Sequence, residues 1–483
     1  MAQLVDSLNG ILWSQALIYL CLGVGLYFSV ATRFLQVRHI KDMVKLLFGG
    51  QSSEQGVSSF QAFSLAVSGR VGTGNIAGVA TAIAMGGPGA VFWMWAIAFL
   101  GAGSAFVESV LAQIYKEEVD GEYRGGPQYY IEKGMGMKWY ALIFAVSTVI
   151  AMGFFLPGVQ SNSIAAGVQN AFGISPVVTG GIIVALLALI IFGGVKRIGR
   201  AAELIVPFMA TGYILVSLII ILLNIGQLPA VIGLIFKSAF AIEPAFAGII
   251  GMAVSWGVKR GIYSNEAGQG TGPMAAAAAE VSHPTKQGLV QAFSVYVDTL
   301  FVCSATAFMI LITGSYNINN PAGGFLVEKL PGVNVGPAFT QKAVETLMPR
   351  FGAPFVAIAL FFFAFTTLMA YYYYAETNIA YLFKKGNNRK IAINILRILL
   401  LVSIYYGAIR TAELAWGLGD IGVGLMAWLN IIAIVILRKP AFDALKDYEE
   451  QRAQGKDPVF DPAKLGIKNA DFWTARNKQA GKR

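Results

Sequence analysis

Apolar runs of about 20 residues, separated by short stretches of charge, glycine and proline, recur along most of the chain. An α-helix rises about 1.5 Å per residue, so such a run crosses the ~30 Å hydrocarbon core of a membrane. The alternating segments of about 10 residues that build a membrane β-barrel are not the pattern here. Reading the runs between their charged punctuation predicts eleven spans, at roughly 11–32, 58–84, 89–115, 139–168, 175–194, 201–224, 244–275, 288–313, 353–383, 391–408 and 412–437. Two runs are interrupted: 58–84 by Val71-Gly-Thr-Gly-Asn75, and 244–275 by the stretch SWGVKRG at Ser255–Gly261. Setting the first span aside leaves two halves of five, each headed by a broken helix. An odd number of spans inverts the second half relative to the first, so the pattern predicts an all-α, five-plus-five inverted repeat with one extra N-terminal helix. The organisation follows: 1–57 for the extra helix and an interfacial segment, 58–224 and 225–437 for the two repeats, and 438–483 for a polar tail.

Composition agrees with this reading. Of the 483 residues 56% are hydrophobic and only 13% charged, against roughly 25% charged in a soluble domain. The net charge of +10 does not point to nucleic acid, because basic residues gather at the cytoplasmic ends of membrane helices anyway. Most of the 36 Lys and Arg fall in alternate loops and in the tail, which predicts an N-terminus outside and a C-terminus in the cytoplasm. MAQLVDSLNG has no basic n-region and no cleavage site, so no signal peptide is expected. VRHIKDMVKLLF reads as an interfacial helix and AFDALKDYEEQRAQ as a short surface helix, with the last ~15 residues frayed. Cys21 and Cys303 read as small core residues, and His39 and His283 are poorly placed for a metal.

Irregular backbone at membrane depth is tolerated only where protein or a water-filled cavity covers it, so the interruptions mark a binding site. Where a helix stops, the exposed N–H groups of the next half suit a carboxylate and the unwound carbonyls suit a dehydrated cation. Val71–Gly74 supply both, and the Asn75 amide serves either ligand. A phosphate-binding loop is excluded by the missing Gly-Lys-Ser/Thr ending. Burying a charge in the membrane costs several kcal/mol, which makes intramembrane ionisable residues functional candidates. Glu108, Glu203, Glu376, Arg397, Glu413 and Asp420 lie within two or three turns of a span end and read as snorkelling or surface-paired. Asp298 near mid-depth and Arg70 beside the first interruption are the charged candidates for ion binding or gating. Thr366 and Thr367 are adjacent hydroxyls in an apolar stretch, suited to a hard monovalent cation. Gln160 and Asn162 are either interhelical hydrogen bonds or part of the site.

GRVGTGNIAGVATAI, GPGAVFWMW, GGPQYYIEKG, GVQSNSIA, KRGIYSNEAGQGTGPMAAAAA followed by HPTKQGL, and DTLFVCSAT resemble the alanine/glycine:cation symporter family of prokaryotes. The resemblance extends over most of residues 1–440. It implies a leucine-transporter-like fold in a prokaryotic cytoplasmic membrane, and sodium-coupled import of a small neutral amino acid, alanine or glycine. Thr73, Gly74 and Asn75 would contact substrate, with Gln160, Trp256 and Gly257 shaping a small pocket beside them. The carbonyls of Ser68 and Val71 and the hydroxyls of Thr366 and Thr367 would hold sodium. Arg70 departs from the small residue that the wider fold carries there. Ser264, Asn265, Glu266 and Gly268 would form an elbow. The implied partners are amino acid, sodium ion and membrane lipid; no cofactor beyond the coupling ion is implied. A sodium-independent facilitator or exchanger is the alternative on the same fold, and a channel a more distant one.

Overall fold

The computed structural model describes residues 2–480 apart from 51, 193–194 and 384–385, so Lys384 and Lys385 of the basic loops lie outside the described residues. Eight of the described helical stretches are long and apolar enough to cross a membrane: Gln3–Ala31, Gly89–Ile114, Lys138–Phe172, Arg197–Leu223, Pro284–Thr313, Gly352–Leu382, Asn387–Ile409 and Ala412–Ile436. A bent pair, Ile225–Ala239 and Pro244–Asn265, meets at 48° and passes the same test when its two helices are taken together. Ala77–Gly86 and Pro176–Ile191 are shorter apolar helices. Between Gly89–Ile114 and Lys138–Phe172, where the hydropathy pattern predicts only a loop, a hairpin pairs Glu117–Val119 with Glu122–Arg124 and a helix spans Pro127–Met135. Two later connections hold structure as well. Helix Leu228–Ala239 fills the first; a hairpin pairing Asn317–Asn319 with Phe325–Glu328 and the helix Pro337–Leu347 fill the second.

Local chemistry explains where the first broken helix begins and ends. Ser58 caps it by accepting from the Gln61 N–H at 3.1 Å while Gln61 Oε1 accepts from the Ser58 N–H at 3.0 Å, a reciprocal capping box. The helix Ser59–Arg70 then stops, a 3-10 turn spans Thr73–Asn75, and a second helix resumes at Ala77–Gly86. The interruption falls where the glycines of Val71–Asn75 predict it.

The second interruption does not. Helix Ile250–Asn265 runs unbroken through Ser255–Gly261, and the chain unwinds after it, before resuming as Gly272–Ala277. The reason lies in what each glycine does. Gly257 and Gly261 let this helix approach Gly89–Ile114 closely, since a side chain at 257 would meet Ala90 and Trp93 and one at 261 would meet Ile97. Gly268 and Gly270 instead hold φ of +81° and +92°, and Glu266 holds +55°, all outside the right-handed helix.

The tail also differs from expectation. Arg438–Ala453 is helical as predicted, but within the stretch expected to fray Asp471–Ala480 forms a helix whose Trp473 is 1% exposed and donates from Nε1 to the Gln113 carbonyl at 2.8 Å. An indole buried with a partner for its N–H anchors a terminal segment that polarity alone reads as loose.

Candidate functional site

The two interruptions face each other: a Cβ on Gly74 would lie 3.1 Å from the Cα of Ser264. Unwinding the first helix frees backbone groups, and each finds a specific partner. The Gly72 N–H donates to Asn75 Oδ1 at 2.8 Å, and the Thr73 N–H donates to Gln160 Oε1 at 3.0 Å. The Thr367 hydroxyl lies 2.9 Å from the Ser68 carbonyl and 3.3 Å from that of Val71. The Asn75 carbonyl accepts from Thr306 Oγ1 at 2.6 Å. Gly72 is required here because a Cβ would sit 2.9 Å from Gln160 Oε1 and closer still to the Thr367 hydroxyl.

Asp298 completes the cluster from the Pro284–Thr313 span, where a π-helical turn at Tyr296–Cys303 displaces the normal hydrogen-bond ladder. Its Oδ1 accepts from Asn75 Nδ2 at 2.6 Å and from Ser264 Oγ at 3.1 Å, and its Oδ2 from Thr299 Oγ1 at 2.7 Å. Cys303 Sγ lies 3.3 Å from Asn75 Nδ2 and 3.2 Å from Ser264 Oγ. Thr73, Asn75, Ser264, Asp298 and Thr367 are all fully buried, and the Thr73 hydroxyl has no partner. A buried hydroxyl with nothing to bond is costly, so it is a natural contact for a polar ligand.

Thus Ser68, Val71, Thr73, Gly74, Asn75, Gln160, Asp298 and Thr367 come together. Four expected residues do not. Thr366 donates to the Phe363 carbonyl at 2.9 Å and faces Met209, away from the interruption. Trp256 and Gly257 lie on the unbroken helix, Trp256 against Lys259 and Arg260, and Gly257 against the Gly89–Ile114 helix. Arg70 turns toward the Pro284–Thr313 span, donating to the Gln291 carbonyl at 3.2 Å and to Ser294 Oγ. It makes no ion pair with Asp298, whose carboxylate is held by Asn75, Ser264 and Thr299 instead. Thr299 and Thr306 are members not foreseen from the sequence, which places Ser264 only in an elbow and Gly72 only as part of the Val71–Gly74 backbone. The glycine alternation of Val71–Asn75 was the available signal for Gly72.

Three acidic residues expected to snorkel or pair at the surface, Glu108, Glu376 and Asp420, are buried instead, Glu376 against Arg124 at 3.5 Å. Glu108 accepts from the Gly268 N–H at 3.2 Å and from Asn430 Nδ2 at 2.7 Å, so it braces the second interruption. Asp420 receives a bidentate pair from Arg260 at 2.9 and 2.8 Å and a third contact from Lys259 at 2.7 Å. Trp416 covers this group, with the Arg260 guanidinium 4.6 Å from its ring and the Tyr263 ring tilted against it at 4.9 Å. The other face of the group's surroundings is a cavity of about 480 Å³ that Trp416 lines together with Asn162, Ala166, Gln169 and Gln341. Asn162 itself bonds the Gly407 and Arg410 carbonyls at 3.0 and 2.7 Å, an interhelical contact.

Broken helices juxtaposed at a buried polar centre are the architecture of a secondary transporter. The chain belongs to the sodium:alanine symporter family, whose sequence profile covers residues 1–462. It is 70% identical over 473 residues to the putative sodium/proton-dependent alanine carrier protein YrbD of Bacillus subtilis, spanning 98% of each chain. It is 55% identical over 432 residues to the sodium/proton-dependent alanine carrier protein of Bacillus sp. strain PS3, spanning 89% of this chain and 97% of that one. The fold is similar to that of a manganese transporter from Eremococcus coleocola, with a TM-score of 0.50 at 12% identity over 86% of this chain and 91% of the other.

Proposed function

We propose that the chain imports a small neutral amino acid, alanine or glycine, together with sodium by alternating access in a prokaryotic cytoplasmic membrane. The observation that carries this reading is the Thr367 hydroxyl set against the Ser68 and Val71 carbonyls beside the unwound Thr73–Asn75 turn. A carbonyl pair and a hydroxyl, without formal charge, suit a hard monovalent cation at low cost in selectivity against divalent ions. The Thr73 hydroxyl and the Asn75 amide are the contacts for the zwitterion, with Gln160 holding the turn open. Gly74 acts by letting the two interruptions meet. In this reading the broken and shorter helices also cross the membrane, giving eleven spans as one extra helix plus two inverted sets of five, with the N-terminus outside and the basic loops and tail inside. The relatives' shared description as sodium/proton-dependent alanine carriers supports the cargo and the ion.

The test is uptake of labelled alanine by proteoliposomes with sodium replaced by potassium at fixed pH. Loss of uptake is expected; uptake that persists unchanged refutes sodium coupling and leaves proton coupling, a facilitator or an exchanger. The ion site gives a sharper result. Thr367→Val removes an oxygen comparable in worth to a hydrogen bond to a charged group, so the sodium concentration for half-maximal uptake should rise about tenfold or more. Thr366→Ala should leave it unchanged, because both hydroxyls lie near the Phe363 carbonyl of their own helix but only that of Thr367 also reaches the Ser68 and Val71 carbonyls, Thr366 facing Met209. Equal sodium dependence in both variants removes Thr367 from the ion site.

A further inference from the structure

The segment between the second broken helix and the Pro284–Thr313 span is held from three directions. Just ahead of the first broken helix, the Val57 N–H donates to the Ala278 carbonyl at 2.9 Å and the Glu280 N–H donates to the Val57 carbonyl at 2.8 Å. This parallel bridge ties together the chain leading into Ser59–Arg70 and the chain leaving Gly272–Ala277, the halves of both broken helices that lie on the basic side. From the end of Gly89–Ile114 and just beyond it, Gln113 Nε2 and Lys116 Nζ donate to the Ala279 carbonyl at 3.1 and 2.9 Å.

The third direction is the tail. The Phe460 N–H donates to the Ser282 carbonyl at 3.0 Å and the Ser282 hydroxyl donates to the Pro458 carbonyl at 2.7 Å. Arg476 reaches the Val281 carbonyl at 2.9 Å and the Glu280 carboxylate at 2.7 Å, and Asp457 pairs with Lys286 at 2.6 Å. Phe460, fully buried, packs edge-on against His283 and Trp473 at 5.4 and 5.2 Å. Trp473 then fastens this assembly to the Gly89–Ile114 helix through Gln113. A solvated terminal extension has no need to bury a phenyl ring against a six-residue connection and an indole against the end of the neighbouring helix.

We propose that residues 457–476 are a latch on the basic side of the bundle, holding the inner halves of the two broken helices together, so that the path opens toward that side only when the tail releases Glu280–Lys286. The inference rests on the alternating-access reading. Its geometry is that of a reversible lock: Asp457 and Asp471 are 76% and 72% exposed, and exposed ion pairs are individually weak. The aromatic pair supplies most of the hold, and the ion pairs set its register.

Maleimide labelling, in membranes, of single cysteines introduced into the full-length protein with Cys21 and Cys303 replaced by alanine tests this. Ser64→Cys places a probe at a fully buried site on the inner half of the first broken helix, and Ala166→Cys places one on the wall of the opposite cavity. With Trp473→Ala, labelling at 64 should rise about fivefold or more while labelling at 166 falls, the signature of an equilibrium shifted toward opening on one side. Arg476→Glu, which sets a carboxylate against Glu280, should act in the same direction, and Arg476→Glu combined with Glu280→Arg should restore the original pattern. Unchanged labelling at 64 in both single variants, or a rise at both probes alike, overturns the latch. If Trp473→Ala does not accumulate, the Arg476 and Glu280 exchange decides alone. Labelling does not depend on what is carried, so a responsive latch in a chain that fails to take up alanine refutes the cargo and leaves the latch standing.

Discussion

Replacing Asn75 with alanine is expected to reduce alanine uptake by at least about a hundredfold while leaving the protein folded. Its Oδ1 is the acceptor for the Gly72 N–H, and its Nδ2 donates to the Asp298 carboxylate at 2.6 Å. Hydrogen bonds to charged groups contribute about 1.5–3 kcal/mol each, so losing that one and exposing the Gly72 N–H together cost more than the ~2.7 kcal/mol equivalent to a hundredfold. The loss falls on the geometry of the turn, because the helices on either side keep their own ladders. Gly72→Ala should be as severe by a different route, since its Cβ would displace Gln160 and Thr367. Initial rates of labelled alanine uptake into proteoliposomes, normalised to monodisperse purified protein with unchanged helical circular dichroism, provide the check. Near wild-type rates in Asn75→Ala would falsify the assignment of the turn as the site.

The first interruption is legible in the chain because Gly72 and Gly74 alternate with Thr73 and Asn75, two glycines and two polar side chains within five residues of an apolar run. The second is misplaced for an instructive reason. Gly257 and Gly261 carry the same signal as a break, but glycine in a membrane helix serves close packing as well as unwinding, and only the facing residues Ala90, Trp93 and Ile97 distinguish the two. Thr366 and Thr367 show a similar limit. Successive helical residues point about 100° apart, so only one hydroxyl of an adjacent pair faces the unwound carbonyls, and which one depends on the rotation of Gly352–Leu382. Burial of charge is harder still to read. Distance from a span end assigns Glu108 and Asp420 to the surface, whereas Asn430 and Arg260, on other helices, hold them in the interior. Hydropathy finds the spans because each is a property of contiguous sequence; ion-pair partners more than 100 residues apart are not.

Asp420→Ala is expected to have the largest effect on stability. It would leave the Arg260 guanidinium, 2% exposed, and the neighbouring Lys259 ammonium without their shared carboxylate. Removing one partner of a buried pair costs about 3–5 kcal/mol because the remaining charge is uncompensated, whereas replacing the pair by apolar residues of similar volume is often close to neutral. The double variant Arg260→Met with Asp420→Leu should therefore recover much of the apparent Tm that Asp420→Ala loses in detergent. Recovery will be incomplete, since Lys259 still faces the apolar replacement and the guanidinium no longer stacks on Trp416. Transport should follow a different order. The pair joins Ile250–Asn265 to Ala412–Ile436 beneath the cavity that Trp416 lines, so both variants should lose control over access from that side even when one of them is stable. Faster labelling of Asn75→Cys from that side in the double variant than in the Asn75→Cys parent, at comparable Tm, would separate this gating contribution from stability. A double variant as unstable as Asp420→Ala would instead show that the uncompensated Lys259 ammonium and the lost aromatic contacts together outweigh removal of the Arg260 charge.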